Sequence, residues 1–199
     1  MGATGNQSFG YFGGGWVYES TVDRIDYSND TATAVAKGPL SVARARFAAT
    51  GNASFGYFGG GDPNPQKSLI DRIDYSNDTA TAVEKGPLSD AKRQNAATGN
   101  SSFGYFGGGD PGKVSTINRI DYSNDTPTTS VKGPLNTGRD RLAATGNADF
   151  GYFGGGASPS DNSTVDRIDY GNDTATAPAK GPLNAARFNL GTSSSRSNA

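Results

Sequence analysis

Apolar positions are sparse in this chain, and where they cluster they alternate with polar ones. In Thr21-Val22-Asp23-Arg24-Ile25-Asp26-Tyr27, Ile25 and Tyr27 fall on one face and Arg24 and Asp26 on the other. That two-residue period is the signature of a half-buried strand. Ser28-Asn29-Asp30 is turn chemistry, Thr31 to Val35 resumes a β-compatible run, and Gly38-Pro39 ends it. Phe47-Ala48-Ala49-Thr50, closed by Gly51-Asn52, predicts another short strand, and Ser8 to Phe12 the next. No segment carries a sustained helical period, and 29 glycines in 199 residues oppose helix.

The pattern occurs four times. Phe9-Gly10-Tyr11-Phe12-Gly13-Gly14-Gly15 returns letter for letter at residues 55–61, 103–109 and 150–156. Around it lie three further landmarks in fixed order: Gly5-Asn6, the run opening at Asp23, Asp71, Asn118 and Asp166, and Lys37-Gly38-Pro39-Leu40. Successive Gly-Asn pairs are 46, 48 and 47 residues apart. The variation in length sits between the glycine triplet and the third landmark, where 7, 9, 8 and 9 residues intervene. In the second repeat the predicted strands are a (Phe47 to Thr50), b (Ser54 to Phe58), c (Leu69 to Tyr75) and d (Thr79 to Val83). Four short antiparallel strands in about 47 residues is the size of one β-propeller blade. The expectation is one all-β repeat domain over 1–199, with blades at 3–46, 47–94, 95–141 and 142–187 and a left-over first strand and tail at 188–199.

The wording of the repeat resembles kelch blades. A strand b ending in a glycine doublet (Tyr57-Phe58-Gly59-Gly60) and a tyrosine closing strand c before a polar turn (Tyr75-Ser76-Asn77-Asp78-Thr79) carry the likeness. It departs where a kelch repeat has tryptophan seven residues past that tyrosine, for here stand Ala34, Ala82, Thr129 and Ala177. Smaller groups must make that contact. The run STVDRIDYSNDTATA, with KGPL, ATGN and FGYFGGG, also resembles repeats of virion-associated proteins of marine tailed phages. That resemblance implies a place in a virion or fibre.

Composition narrows the picture. Leu, Ile, Val and Phe make up 31 of 199 residues, a fraction low enough to suggest disorder. Yet the net charge is -1, and eight of ten Phe and eight of nine Tyr stand at repeat-fixed positions. The core is therefore expected to be aromatic, Ala and Gly. With 18 basic against 19 acidic residues, no nucleic-acid partner is expected. The chain has neither cysteine nor histidine, no apolar run long enough to span a membrane, and no basic, apolar start of a signal peptide. Localisation is left open.

Several motifs dissolve on inspection. The glycine triplets are flanked by strands, whereas a phosphate loop needs a helix after it. Asp26-x-Ser28-x-Asp30 lacks the glycine and late glutamate of a calcium loop and reads as a capped turn. Asn29-Asp30-Thr31, its three equivalents and Asn162-Ser163-Thr164 are glycosylation sequons that also serve as turn residues. Without His or Cys, the copper site of kelch-type oxidases and the usual nucleophile-base pairs cannot be assembled. No catalytic residue, metal or cofactor is expected. Arg24 and Asp26, with their equivalents, are expected to form a ring of ion pairs between blades.

The loop between strands b and c is the candidate recognition element, since variety tends to sit on loops held by a rigid scaffold. It holds Trp16, Tyr18 and Glu19 in the first repeat, Asp62, Asn64 and Lys67 in the second, Asp110 and Lys113 in the third, Ser160 and Asp161 in the fourth. The leading reading is a non-enzymatic structural or binding module that recognises protein or glycan through this face. A self-assembling architectural unit and a carboxylate-dependent hydrolase or lyase are the alternatives. Arg187 onward repeats the residues from Arg44, so closure has three routes. The extra strand completes blade one within the chain, completes blade one of a second copy in a homo-oligomer or head-to-tail assembly, or belongs to a longer array. The second and third are favoured, because kelch-type rings usually close above four blades.

Overall fold

The computed structural model of the chain describes residues 1–63 and 65–191. It is a β-propeller arrangement of four blades, each a four-stranded antiparallel sheet in sequence order. Blade one comprises β1 (Gly2–Gly5), β2 (Phe9–Gly13), β3 (Val22–Asp26) and β4 (Val35–Ala36). Blade two comprises β5 (Ala48–Gly51), β6 (Phe55–Gly59), β7 (Ile70–Asp74) and β8 (Val83–Lys85). Blade three holds β9 (Ala96–Gly99), β10 (Phe103–Gly107), β11 (Ile117–Asp121) and β12 (Ser130–Lys132). Blade four holds β13 (Ala143–Gly146), β14 (Phe150–Gly154), β15 (Val165–Asp169) and β16 (Ala179–Lys180). The first strands β1, β5, β9 and β13 pack in succession along the inner side.

The landmarks are turn devices. Asn6 Oδ1 accepts from the N–H groups of Ser8 and Phe9, fixing the β1–β2 hairpin, and Asn52, Asn100 and Asn147 do the same. An asparagine side chain standing in for a backbone acceptor is what makes this turn cheap to form. Asp26, Asp74 and Asp121 likewise accept from the N–H and hydroxyl of the serine two residues on. These aspartates are therefore turn caps and not the interblade ion pairs expected of them.

The interblade anion is the residue that ends the turn. Asp125 Oδ2 accepts from Tyr57 Oη at 2.9 Å and from Arg72 Nη1 at 2.8 Å, while Lys85 Nζ lies 3.1 Å from Oδ1. Asp78 and Asp173 receive the same three groups from blades one and three. Beside each carboxylate two tyrosines from adjacent blades stack, at 4.8 Å for Tyr57 and Tyr122. A phenylalanine completes the seam: a Cβ on Gly59 would come within 2.6 Å of the Phe106 ring. The strand-b glycines are thus slots for the next blade's Phe.

Strand d differs from expectation. It begins at Val83, not Thr79, because residues 78–82 are committed to the previous blade. Gly38 donates to the Asp78 carbonyl and Ala82 to the Pro39 carbonyl. Any side chain on Gly38 would strike the Ala80 carbonyl, so Lys-Gly-Pro-Leu is a docking strip for the neighbouring turn. Ala82, Thr129 and Ala177 are buried there.

Among the described residues, no strand closes a four-bladed ring within the chain. Residues 187–191 run on beside blade four, where Gly156 donates to the Arg187 carbonyl and Asn189 to the Arg141 carbonyl. The rest of the expected tail, 192–199, lies outside the described residues.

Candidate functional site

The connection entering each blade meets the b–c loop of the blade before it. The N–H groups of Arg44, Lys92, Arg139 and Arg187 donate to the carbonyls of Glu19, Lys67, Val114 and Asn162. One rim therefore carries both sets of segments. Just past each of these contacts stand Arg46, Gln94, Arg141 and Asn189, all with φ between 53° and 58°. Each of the last three donates its N–H to the carbonyl of the one before, which makes a backbone ladder across the inner mouth. Left-handed backbone at four non-glycine residues is unusual and is held only where surrounding bonds require it.

These residues line a recess of about 510 Å³, together with Trp16, Phe47, Asn95, Leu142 and Leu190. Arg46 is one of its lining residues. Its guanidinium lies 4.5 Å from the Trp16 ring centre, and Nη1 is 2.8 Å from Asp62 Oδ2. Arg93 bonds the same oxygen at 3.1 Å and reaches Asp110 at 3.0 Å. The chain Trp16–Arg46–Asp62–Arg93–Asp110 thus crosses three blades as one polar network.

Trp16 is 75% exposed and Tyr18 44% exposed, the latter with φ 57°. Glu19 is exposed, and its carboxylate lies over Gly15. Asp62 is 1% exposed and anchors the network instead of facing a partner directly. Asn64 lies outside the described residues. Lys67 is half-buried, its N–H and C=O used by Gly61 and Lys92. Asp110 is ion-paired with Arg93, and Lys113 Nζ reaches the Pro159 carbonyl of the next loop at 3.4 Å. Ser160 and Asp161 are exposed but do not line the recess with Trp16.

Sequence reasoning missed the other half of the rim: Arg46, Arg93, Gln94, Asn95, Arg141 and Leu142. The signal was present. Phe47, Asn95, Leu142 and Leu190 occupy one repeat position with three different residue types, as do Arg46, Gln94, Arg141 and Asn189. Variation at a fixed offset inside a strict repeat marks the recess lining as well as variation in loop length marks the loops, although Phe47, Asn95 and Leu142 are themselves largely buried.

No family model matches the chain, and no curated protein is similar to it. Among solved structures 204 chains match, so the architecture is too widespread to indicate a ligand. One of them, YjhT, aligns over 94% of this chain and 66% of its own length, with a TM-score of 0.75 and 13% identity. This chain spans just under two thirds of YjhT, and the likeness is one of fold.

Proposed function

We propose that this chain is a non-enzymatic propeller module that binds protein or glycan across the rim built from its b–c loops and blade-entry connections. One observation carries the reading: Trp16, 75% exposed, stacks on Arg46 at the mouth of the recess. An indole held in place by a guanidinium, with amide and arginine donors beside it, suits the face of a sugar ring or a planar side chain of a protein. The rim carboxylates support a binding role over a catalytic one. Asp62 Oδ2 is shared by Arg46 and Arg93, and Asp110 Oδ2 pairs with Arg93, so these carboxylate oxygens are held in structural ion pairs. The kelch-like blades and the resemblance to tailed-phage virion repeats fit a structural component of a particle or fibre.

A glycan and protein array tests the reading, probed with the wild-type chain and with Trp16→Ala. Ligands lost in the variant, with its thermal unfolding unchanged, support rim recognition. A set of ligands indifferent to Trp16→Ala, and to replacement of all four b–c loops, overturns it.

A further inference from the structure

The three seams are built from one template, and the two outermost blade faces carry its two halves unmatched. On the giving side of a seam stand a tyrosine, an arginine, a lysine and a slot-forming glycine, as in Tyr57, Arg72, Lys85 and Gly59. On the receiving side stand a phenylalanine, a tyrosine and an aspartate, as in Phe106, Tyr122 and Asp125. Blade four repeats the giving set at Tyr152, Arg167, Lys180 and Gly154, and blade one repeats the receiving set at Phe12, Tyr27 and Asp30.

Exposure shows what each half lacks. Phe58, Phe106 and Phe153 are fully buried, whereas Phe12 is 39% exposed. Tyr75, Tyr122 and Tyr170 are buried, whereas Tyr27 is 51% exposed. A Cβ on Gly13, Gly59 or Gly107 would come within 2.9 Å of a phenylalanine of the next blade. On Gly154 the nearest atom is 3.5 Å away and belongs to Val165 of the same blade. Among the described residues, Arg167 and Lys180 have no carboxylate partner, and Asp30 is exposed with no cation on it. Arg187 is exposed although its equivalents Arg44 and Arg139 are buried on Asp71 and Asp166. The residue equivalent to those aspartates in blade one is Asp23.

We propose that blade four of one copy receives blade one of a second copy and forms a fourth seam between chains. Phe12 of the second copy enters the slot over Gly154, and its Asp30 takes Tyr152, Arg167 and Lys180. Its Tyr27 stacks on Tyr152, and its Asp23 receives Arg187. Knob, slot, ring stack and both charge pairs agree at once, and a second copy of this chain supplies every one of them. The interface is heterologous, so copies join head to tail, closing a ring or continuing as a filament according to the rotation at each seam. This surface is separate from the recess, and its test is independent of any rim ligand.

Light scattering and sedimentation over a wide concentration range give the readout. Wild-type chain is expected to grow from 20.5 kDa to multiples of that mass as concentration rises. Gly154→Val fills the slot, its Cβ meeting the chain's own atoms only at ordinary contact distance, 3.5 Å from Val165, and Asp30→Arg reverses an exposed charge. Each is expected to weaken association by about tenfold or more while leaving thermal unfolding in place. The two variants mixed are decisive, since each keeps one sound face and together they should form a one-to-one dimer and nothing larger. A wild-type chain that stays at 20.5 kDa at every concentration overturns the proposal. So does association that both variants leave intact, or a mixture that yields no dimer.

Discussion

The connections entering blades two and four handle a buried charge in one way, and the connection entering blade three handles it in another. In the first pair, Arg44 and Arg139 are fully buried, 2.9 and 2.8 Å from Asp71 and Asp166, which are buried too. Each arginine also donates to a strand-b carbonyl, that of Phe58 or Phe153. At blade three the aspartate is Asn118 and the arginine is Lys92. The negative charge has moved to Asp90, where Val42 stands in the first connection, and lies 3.4 Å from Lys92 Nζ. Yet Asn118 Oδ1 still accepts the N–H of Ser89, as Asp71 and Asp166 accept those of Ser41 and Asn136. Thr129, in place of Ala82, adds a hydroxyl donor to the same oxygen. Two requirements that look like one are thus separable. The connection needs a side-chain acceptor for its N–H, and the buried cation needs an anion within reach; a carboxylate meets both, and an amide with a displaced aspartate meets them singly.

The largest effect is expected from breaking one partner alone. Asp71→Asn keeps the acceptor and strands Arg44 as an uncompensated buried charge, so a loss of about 3–5 kcal/mol in urea unfolding is expected. A loss under about 1 kcal/mol would mean that the acceptor matters and the charge does not. Transplanting the whole blade-three solution, Val42→Asp, Arg44→Lys, Asp71→Asn and Ala82→Thr, should restore stability to within about 1–2 kcal/mol of wild type, because residues in one network couple strongly. A quadruple variant no better than the single one would show that the two arrangements depend on more than these four positions.

Titration separates the connections further, with slopes of at most about 1.4 kcal/mol per pH unit for one proton. Burial holds the Lys92 ammonium below its ordinary range, more than the nearby Asp90 charge raises it. The unfolded chain then keeps that proton to higher pH than the folded one. Stability from this group rises with pH in the window just below the unfolded value of about 10.4. For Asp90, burial acts to raise the carboxyl, but the Lys92 charge and the hydrogen bonds from Ser89 and Asn118 outweigh it and hold it low. Its contribution is complete above about 3.9 and is lost as pH falls through the folded value.

The seam tyrosines have the opposite alkaline sign. Tyr11 is pushed up to about 12 by burial and by its bond to Asp78, so its contribution is complete below about 10 and is lost as pH rises from there through about 12. Urea unfolding at a series of pH values should show Lys92→Arg removing the gain below 10.4 and Tyr11→Phe reducing the loss above 10. The smallest effect belongs to the rim. Trp16→Ala should cost no more than about 1 kcal/mol in thermal unfolding, since the ring is 75% exposed and its stack on Arg46 is a surface contact.

Much of this was legible in the chain. The fourfold Phe-Gly-Tyr-Phe-Gly-Gly-Gly run, with period-two strands and turn residues between, specified four blades of four strands. Local chemistry suffices for that: Asn6 and Asp26 cap their own turns two and three residues away. The strand period marks Arg24 as an interblade cation but points to Asp26 as its partner, because the two share a strand face. The true partner, Asp78, is 54 residues distant and belongs to the next blade. The sequence pattern starts strand d four residues early for the same reason, since nothing in Thr79 to Ala82 states that Ala82 bonds to another blade's Pro39. Half of the rim was read from the b–c loops, and half was missed because blade-entry residues hold constant length and vary only in kind.

The sequence by itself determined the repeat unit, its strands, its turns and the aromatic core, because these depend on residues a few positions apart. Only the tertiary structure decided which carboxylate each arginine meets, which glycines are slots, and how Trp16, Arg46 and Asp62 converge on one recess. Those contacts join residues distant in sequence, from 16 positions for Arg46 and Asp62 to 54 for Arg24 and Asp78, and what sets them is the rotation from one blade to the next. That rotation is a property of packed seams. The unmatched faces of blades one and four follow from it.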